Sequence, residues 1–136
     1  MLNPSQDTDG NEIMKALRIY EYSKCDTCRK AIRYLDAKGK LYERIAIREC
    51  PPSKKELEVM LTSLNGERKR MFNTSGADYR AMNMRDKLPS LSDQEVIDLL
   101  SANGNLIKRP FLLDGRAGVI GFKPDEWDAF LERLEP

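Results

Sequence analysis

Cys25-Asp26-Thr27-Cys28 sets two thiols two residues apart, with Lys24, Arg29 and Lys30 beside them. Leu17, Ile19 and the tyrosines before Ser23 read as a short apolar strand. Ala31, Ile32 and Leu35 then recur at helical spacing. The cysteine pair therefore falls where a strand ends and a helix begins. The first turn of a helix has unpaired backbone N–H groups and the positive end of the helix dipole, and both favour an anion. A thiolate held there is expected to have a depressed pKa and to be the better nucleophile at neutral pH. Asp26 works against this and its basic neighbours work for it. Cys25 precedes the helix and is expected to be the accessible, reactive thiol. Cys28, one turn in, is expected to resolve it as a disulfide. A structural zinc site would need four ligands, usually Cys with Cys or His. The chain has no histidine and only one further cysteine, Cys50, so a metal is not expected. Two inert core cysteines stay open as the other reading of the pair, and Cys50 is expected to be a bystander.

The elements that must position this turn follow in order. Ala16–Tyr22 is the expected first strand and Asp26–Lys38 the first helix, stopped by Gly39 at the position glycine favours. Leu41–Ile47 alternates as a second strand, and strand–helix–strand with a short return implies a parallel crossover. Pro51 and Pro52 break that strand. Ser53 and Glu56 form a capping box, with Leu57, Met60, Leu61 and Leu64 on one helix face. A short turn over Arg68–Met71, a loop over Phe72–Gly76 and a short helix over Asp78–Met84 come next, and Pro89 ends that helix. Ser92 and Glu95 form a second capping box, and Asn103-Gly104-Asn105 terminates its helix. Phe111–Leu113, the hairpin turn Asp114-Gly115 and Ala117–Gly121 make an antiparallel pair. Pro124 opens a last helix carrying Trp127, Phe130, Leu131 and Leu134 inward. The order is β-α-β, a helical insertion over about 53–103, then β-β-α. That is an α/β chain of the thioredoxin-like fold, as one domain over 15–136 behind a disordered tail over 1–14.

Such a fold gives a second constellation meaning. Arg109-Pro110 precedes the third strand, where the proline is expected to be cis and to face the CxxC turn. Arg109 is then expected to point its guanidinium at the thiolate and to hold an oxyanion or carboxylate on two N–H groups. Lys123 is a weaker second cation, and Asn73-Thr74-Ser75-Gly76 offers hydroxyl and amide donors.

The 136 residues include 23 basic and 22 acidic side chains, a net charge of +1. That balance calls for neither nucleic acid nor an anionic membrane as a partner. No apolar run is long enough to span a bilayer, and the first residues lack a signal pattern. Three cysteines suit a reducing cytoplasm better than a disulfide-stapled exterior. The lack of histidine excludes Ser-His-Asp and Cys-His catalysis within the chain. A cytoplasmic monomer is expected.

Several motifs carry a resemblance: Tyr22-Ser23-Lys24-Cys25-Asp26-Thr27-Cys28-Arg29-Lys30, Pro51-Pro52-Ser53, Phe72-Asn73-Thr74-Ser75-Gly76, Lys108-Arg109-Pro110 and Gly121-Phe122-Lys123-Pro124. Over roughly Ala16 to Leu134 the chain resembles the arsenate reductase-like family of the thioredoxin fold. That family holds glutaredoxin-linked arsenate reductases, Spx-type transcriptional regulators and YffB-type proteins. The resemblance implies Cys25 as nucleophile and Arg109 as oxyanion ligand. It places Lys123 and Ser75 where the reductases have further arginines. Those reductases lack the second cysteine, so Cys28 resembles the Spx-type redox switch or a small thiol–disulfide oxidoreductase. The implied function is an arsenate reductase-like thiol–disulfide oxidoreductase, with catalytic Cys25, Cys28 and Arg109 and substrate-binding Arg109, Pro110, Lys123 and Ser75. It implies no bound cofactor, and reduction by glutathione with glutaredoxin or by thioredoxin. The alternative it implies is a redox-sensing regulator that binds RNA polymerase.

Overall fold

The computed structural model describes residues 17–134, so the tail expected over 1–14 lies outside the described residues. One sheet has the strand order β2-β1-β3-β4. The central strand β1 (Leu17–Glu21) runs parallel to β2 (Tyr42–Ala46). On its other side it runs antiparallel to β3 (Phe111–Leu113), which pairs antiparallel with β4 (Gly118–Ile120). The parallel crossover and the terminal hairpin match the sequence expectation. β1 stops before Tyr22, β2 and β4 are each shorter by one residue at either end than the expected Leu41–Ile47 and Ala117–Gly121, and β3 matches its expected range. Leu41, at the entry to β2, is 75% exposed.

Successive strand residues face opposite sides of a sheet, and this sheet feeds two cores. Leu17, Ile19, Leu112 and Val119 pack with Ala31 and Leu35 of α1 (Asp26–Ala37) and with Trp127, Phe130 and Leu131 of α6 (Pro124–Glu132). Tyr20, Phe111, Leu113 and Ile120 pack instead with the inserted helices. Burying a side chain such as Leu35 contributes roughly 2 kcal/mol. The helix that carries Cys28 is thus fixed by packing as well as by its own hydrogen bonds. It stops where Lys38 N–H donates to Tyr34 O at 3.1 Å and Gly39 adopts φ +68°, a conformation open to glycine at little cost.

The insertion holds α2 (Lys54–Ser63), α3 (Ala77–Ala81), α4 (Met84–Lys87) and α5 (Asp93–Ser101), with a single turn of 3-10 helix at Arg68–Met71. Both capping boxes form. Glu56 N–H donates to Ser53 Oγ at 3.1 Å, and Ser53 N–H returns a bond to Glu56 Oε1 at 3.0 Å. Ser92 and Glu95 do the same at 3.0 and 2.8 Å. The one helix expected over Asp78–Met84 is two. Asn83 sits in the left-handed region at φ 53°, which asparagine tolerates better than most residues, and it splits the segment. A second 3-10 turn, Leu88–Ser90, follows at Pro89.

Close backbone contacts fix the insertion against β2 and against the stretch that precedes β3. A Cβ on Gly104 would lie 2.0 Å from the Ile47 carbonyl oxygen, so the chain passes directly against the end of β2 only because position 104 has no side chain. The segment 71–73 also pairs with 106–108: Asn73 N–H donates to Leu106 O at 2.8 Å and Lys108 N–H to Met71 O at 2.9 Å. Those bonds set the stretch that leads into Arg109.

Candidate active site

Cys25 is the N-cap of α1, in extended conformation at φ −98° and ψ 117°. Its sulfur accepts a hydrogen bond from the Cys28 backbone N–H at 3.2 Å. One of the unpaired donors of the first turn is therefore spent on the sulfur that is expected to become an anion. Cys25 is half-buried, whereas Cys28 is fully buried. Both are free thiols. Burial, with a smaller contribution from the hydrogen bond to Cys25, pushes the Cys28 thiol up to about 12. The Tyr22 backbone opposes that rise and the charge of Glu21 adds to it. Glu21 ends β1 with only 8% of its surface exposed. The pair is thus unequal: one sulfur is reachable and capped by an N–H, the other is sealed and protonated.

The charges around the turn are arranged by the turn itself. Arg29 holds the Asp26 carboxylate and donates to Ser23 O at 2.7 Å, so the acid expected to oppose a thiolate is neutralised by its own neighbour.

Arg109 precedes a cis peptide bond to Pro110, as the sequence led us to expect. Pro110 is buried and its carbonyl accepts from Gly121 N–H at 2.8 Å. Among the described residues, the Arg109 guanidinium makes no hydrogen bond to Cys25. Its Nη1 donates to Ile107 O at 3.2 Å, and its carbon sits 5.5 Å from the centre of the Tyr22 ring. Arg48 lies 4.7 Å from the same ring. Tyr22 follows β1 directly, three residues before Cys25, so both cations gather on the ring that leads into the CxxC turn.

Beside this turn opens a cleft of about 860 Å³. Thr27 of the CxxC turn, Arg109, Lys123 and Thr74 are among its walls. Ser75 is not. It is exposed, and its carbonyl accepts from Arg80 Nη1 at 2.8 Å. Cys50 is exposed and borders a separate hollow of about 540 Å³ with Tyr20 and Glu56. The Tyr20 hydroxyl donates to Glu56 Oε1 there at 2.7 Å, and Arg18 Nη1 to Glu56 Oε2 at 2.5 Å. Among the described residues, no three Cys, Asp or Glu side chains converge where a metal ion would sit. Sequence reasoning did not find Tyr22, Lys69, Arg85 or Lys108 as site residues. Lys69 and Arg85 come from surface stretches with no shared spacing, whereas Tyr22 and Lys108 stand inside quoted motifs, beside Ser23 and Arg109, and were within reach.

A family model described as the ArsC family matches residues 20–130. The chain belongs to the ArsC family. The ArsC-family relatives include the uncharacterized protein YusI of Bacillus subtilis, 43% identical over 83% of this chain and 96% of its own length. They also include the global transcriptional regulator Spx of Streptococcus mutans, 30% identical over 80% of this chain and 78% of that protein. Among solved structures, one of a possible arsenate reductase from Streptococcus mutans superposes with a TM-score of 0.78 at 40% identity. It covers 85% of this chain and 99% of that one. The fold is accordingly the thioredoxin-like α/β fold of ArsC proteins, with the inserted helices in place.

Proposed function

We propose that this ArsC-family protein is a thiol–disulfide oxidoreductase in which Cys25 attacks and Cys28 resolves. The observation that carries this reading is the inequality of the pair: a half-buried Cys25 sulfur capped by the Cys28 N–H at 3.2 Å, over a fully buried Cys28. The Cys25 thiolate attacks one sulfur of a substrate disulfide. The substrate S–S bond breaks, a Cys25 mixed disulfide forms, and the other half leaves as a thiolate that takes a proton from water. Cys28 gives up its proton and attacks the Cys25 sulfur. The mixed disulfide breaks, the second thiolate leaves, and two electrons have passed from the protein to the substrate. An external thiol reductant (glutathione with glutaredoxin, or thioredoxin) restores the pair. Arg109 lies by the Tyr22 ring that leads into the CxxC turn, where a cation favours the departing thiolate.

Arsenate is the less favoured substrate. Lys123 offers a point charge where a planar guanidinium would bind an oxyanion on two N–H groups. Ser75 stands outside the cleft. The second reading is a redox-responsive regulator, in which the same disulfide switches a polymerase-binding surface. Its support is the 30% identity to Spx across 80% of the chain.

Thiol titration with mass analysis, before and after mild disulfide oxidation, tests the core of the proposal. The expected product is a Cys25–Cys28 disulfide that Cys25→Ser cannot form. A Cys25 that stays reduced would refute the proposal. Turnover with a disulfide substrate, against polymerase capture that depends on oxidation, separates the two readings. Arsenate-dependent thiol consumption abolished in Arg109→Ala would restore the arsenate reaction.

A further inference from the structure

We propose that the cleft beside the CxxC turn is a docking groove for an acidic polypeptide segment that carries the partner cysteine. The inference rests on the thiol-exchange reading and names the class of partner for it.

Charge carries the argument. The whole chain has a net charge of +1. Yet seven cationic side chains line this cleft against a single carboxylate, Glu67. Three of the seven are engaged within the protein. Arg68 holds the carbonyls of Leu88 and Leu91 and pairs with Asp93 at 3.5 Å. Arg70 pairs with Glu126 at 3.3 Å, and Arg109 is turned to Ile107 O and the Tyr22 ring. The side chains of Lys69, Arg85, Lys108 and Lys123 make no hydrogen bond or ion pair among the described residues. Four unpaired cations facing one hollow repel each other, and a ligand bearing several negative charges relieves that repulsion.

The floor decides which kind of polyanion. Among the apolar residues that line the cleft, Pro89 is exposed and Phe122 half-buried, so the ligand has apolar groups as well as charge. Nucleobases would need exposed ring faces to stack on. The rings here are turned to one another instead. Phe72 meets Tyr79 edge-on at 5.9 Å, and Phe122 meets Trp127 edge-on at 5.0 Å. Phe72 and Tyr79 are also buried. A polypeptide with Asp or Glu and interspersed apolar side chains fits both features. Cys25 is not itself among the lining residues, but Thr27, two residues on, is, so a chain lying in the groove reaches the CxxC turn. The volume of about 860 Å³ is at the upper end for small-ligand clefts, and suits several residues of chain.

Two arms test this with the whole protein. In the first, anisotropy follows a labelled Asp/Glu/Leu peptide without cysteine, a Lys/Leu counterpart, and a single-stranded oligonucleotide of matching negative charge. Tighter binding of the acidic peptide than of the other two, by about tenfold or more and weakening with salt, is expected. The Lys69→Glu/Arg85→Glu double variant, at two exposed positions, should erase most of that preference. Equal binding of the two peptides, no salt dependence, or tighter binding of the oligonucleotide would overturn the proposal. The second arm compares acidic, neutral and basic cysteine peptides as mixed disulfides with a small aromatic thiol. The acidic one should transfer to Cys25 about tenfold faster than the basic one. An acidic peptide that binds but reacts no faster than the basic one also overturns it, because the groove then does not serve Cys25. Failure of even the neutral disulfide to oxidise Cys25 would sink the exchange reading instead, and the first arm reports on the groove without sulfur chemistry.

Discussion

The burial of Cys28 makes the resolving step the pH-sensitive one. Its thiol is pushed from the ordinary 9.0 to about 12, chiefly by loss of water around the charged form. At neutral pH the thiolate fraction is then about a thousandfold smaller than for an ordinary cysteine, equivalent to roughly 4 kcal/mol. Once Cys25 is in a mixed disulfide its hydrogen bond to Cys28 changes, but the burial remains. The assay is reaction of the reduced protein with a stoichiometric aromatic disulfide, in a Cys50→Ser background because Cys50 is exposed. Each thiol that reacts releases one coloured thiolate. Cys25 is reachable and gives the first phase. Cys28 attacks the mixed disulfide and gives the second. Below its pKa the attacking thiolate grows about tenfold per pH unit, so the second-phase rate should rise log-linearly with unit slope from about pH 7 to beyond pH 10. A second phase that levels off near pH 8 to 9 would mean that Cys28 titrates as an ordinary thiol, and the burial argument would be refuted.

Gly104→Ala should destabilise the fold by about 2–3 kcal/mol or more, because the new methyl carbon would lie 2.0 Å from a backbone oxygen that has no room to yield. An unchanged urea midpoint would show that the 103–106 turn moves freely away from β2. Ser53→Ala should cost about 1 kcal/mol by the same measurement, since it strips the cap from α2. A neutral result would mean that Glu56, held by Tyr20 and Arg18, caps the helix without it.

Much of the fold is written in local patterns. The CxxC turn announces itself because strand alternation gives way to helical spacing across four residues. Both capping boxes, Gly39 and the Asp114-Gly115 hairpin are short-range chemistry and read directly. Asn83 is different: it takes a left-handed conformation between α3 and α4, whereas an Asp78–Met84 helix is what the local pattern alone predicts. The Arg109 guanidinium is a similar case. Its aromatic partner, Tyr22, lies 87 positions earlier in the chain, and no motif couples the two. The basic cleft is hidden by arithmetic. Its cations come from four separate stretches, and acids elsewhere cancel them in the net charge of +1.

The division of the sheet into two cores has a consequence for divergence. The sulfur-bearing turn is braced by one core, under α1 and α6, while the inserted helices pack into the other on the opposite face. The walls of the cleft are drawn mostly from the insertion and its neighbours. A lineage can therefore rewrite what approaches the sulfur, one wall residue at a time, without unseating the sulfur itself. Relatives named for regulation and for arsenate reduction are what such a separation of reactive centre from entrance would leave behind.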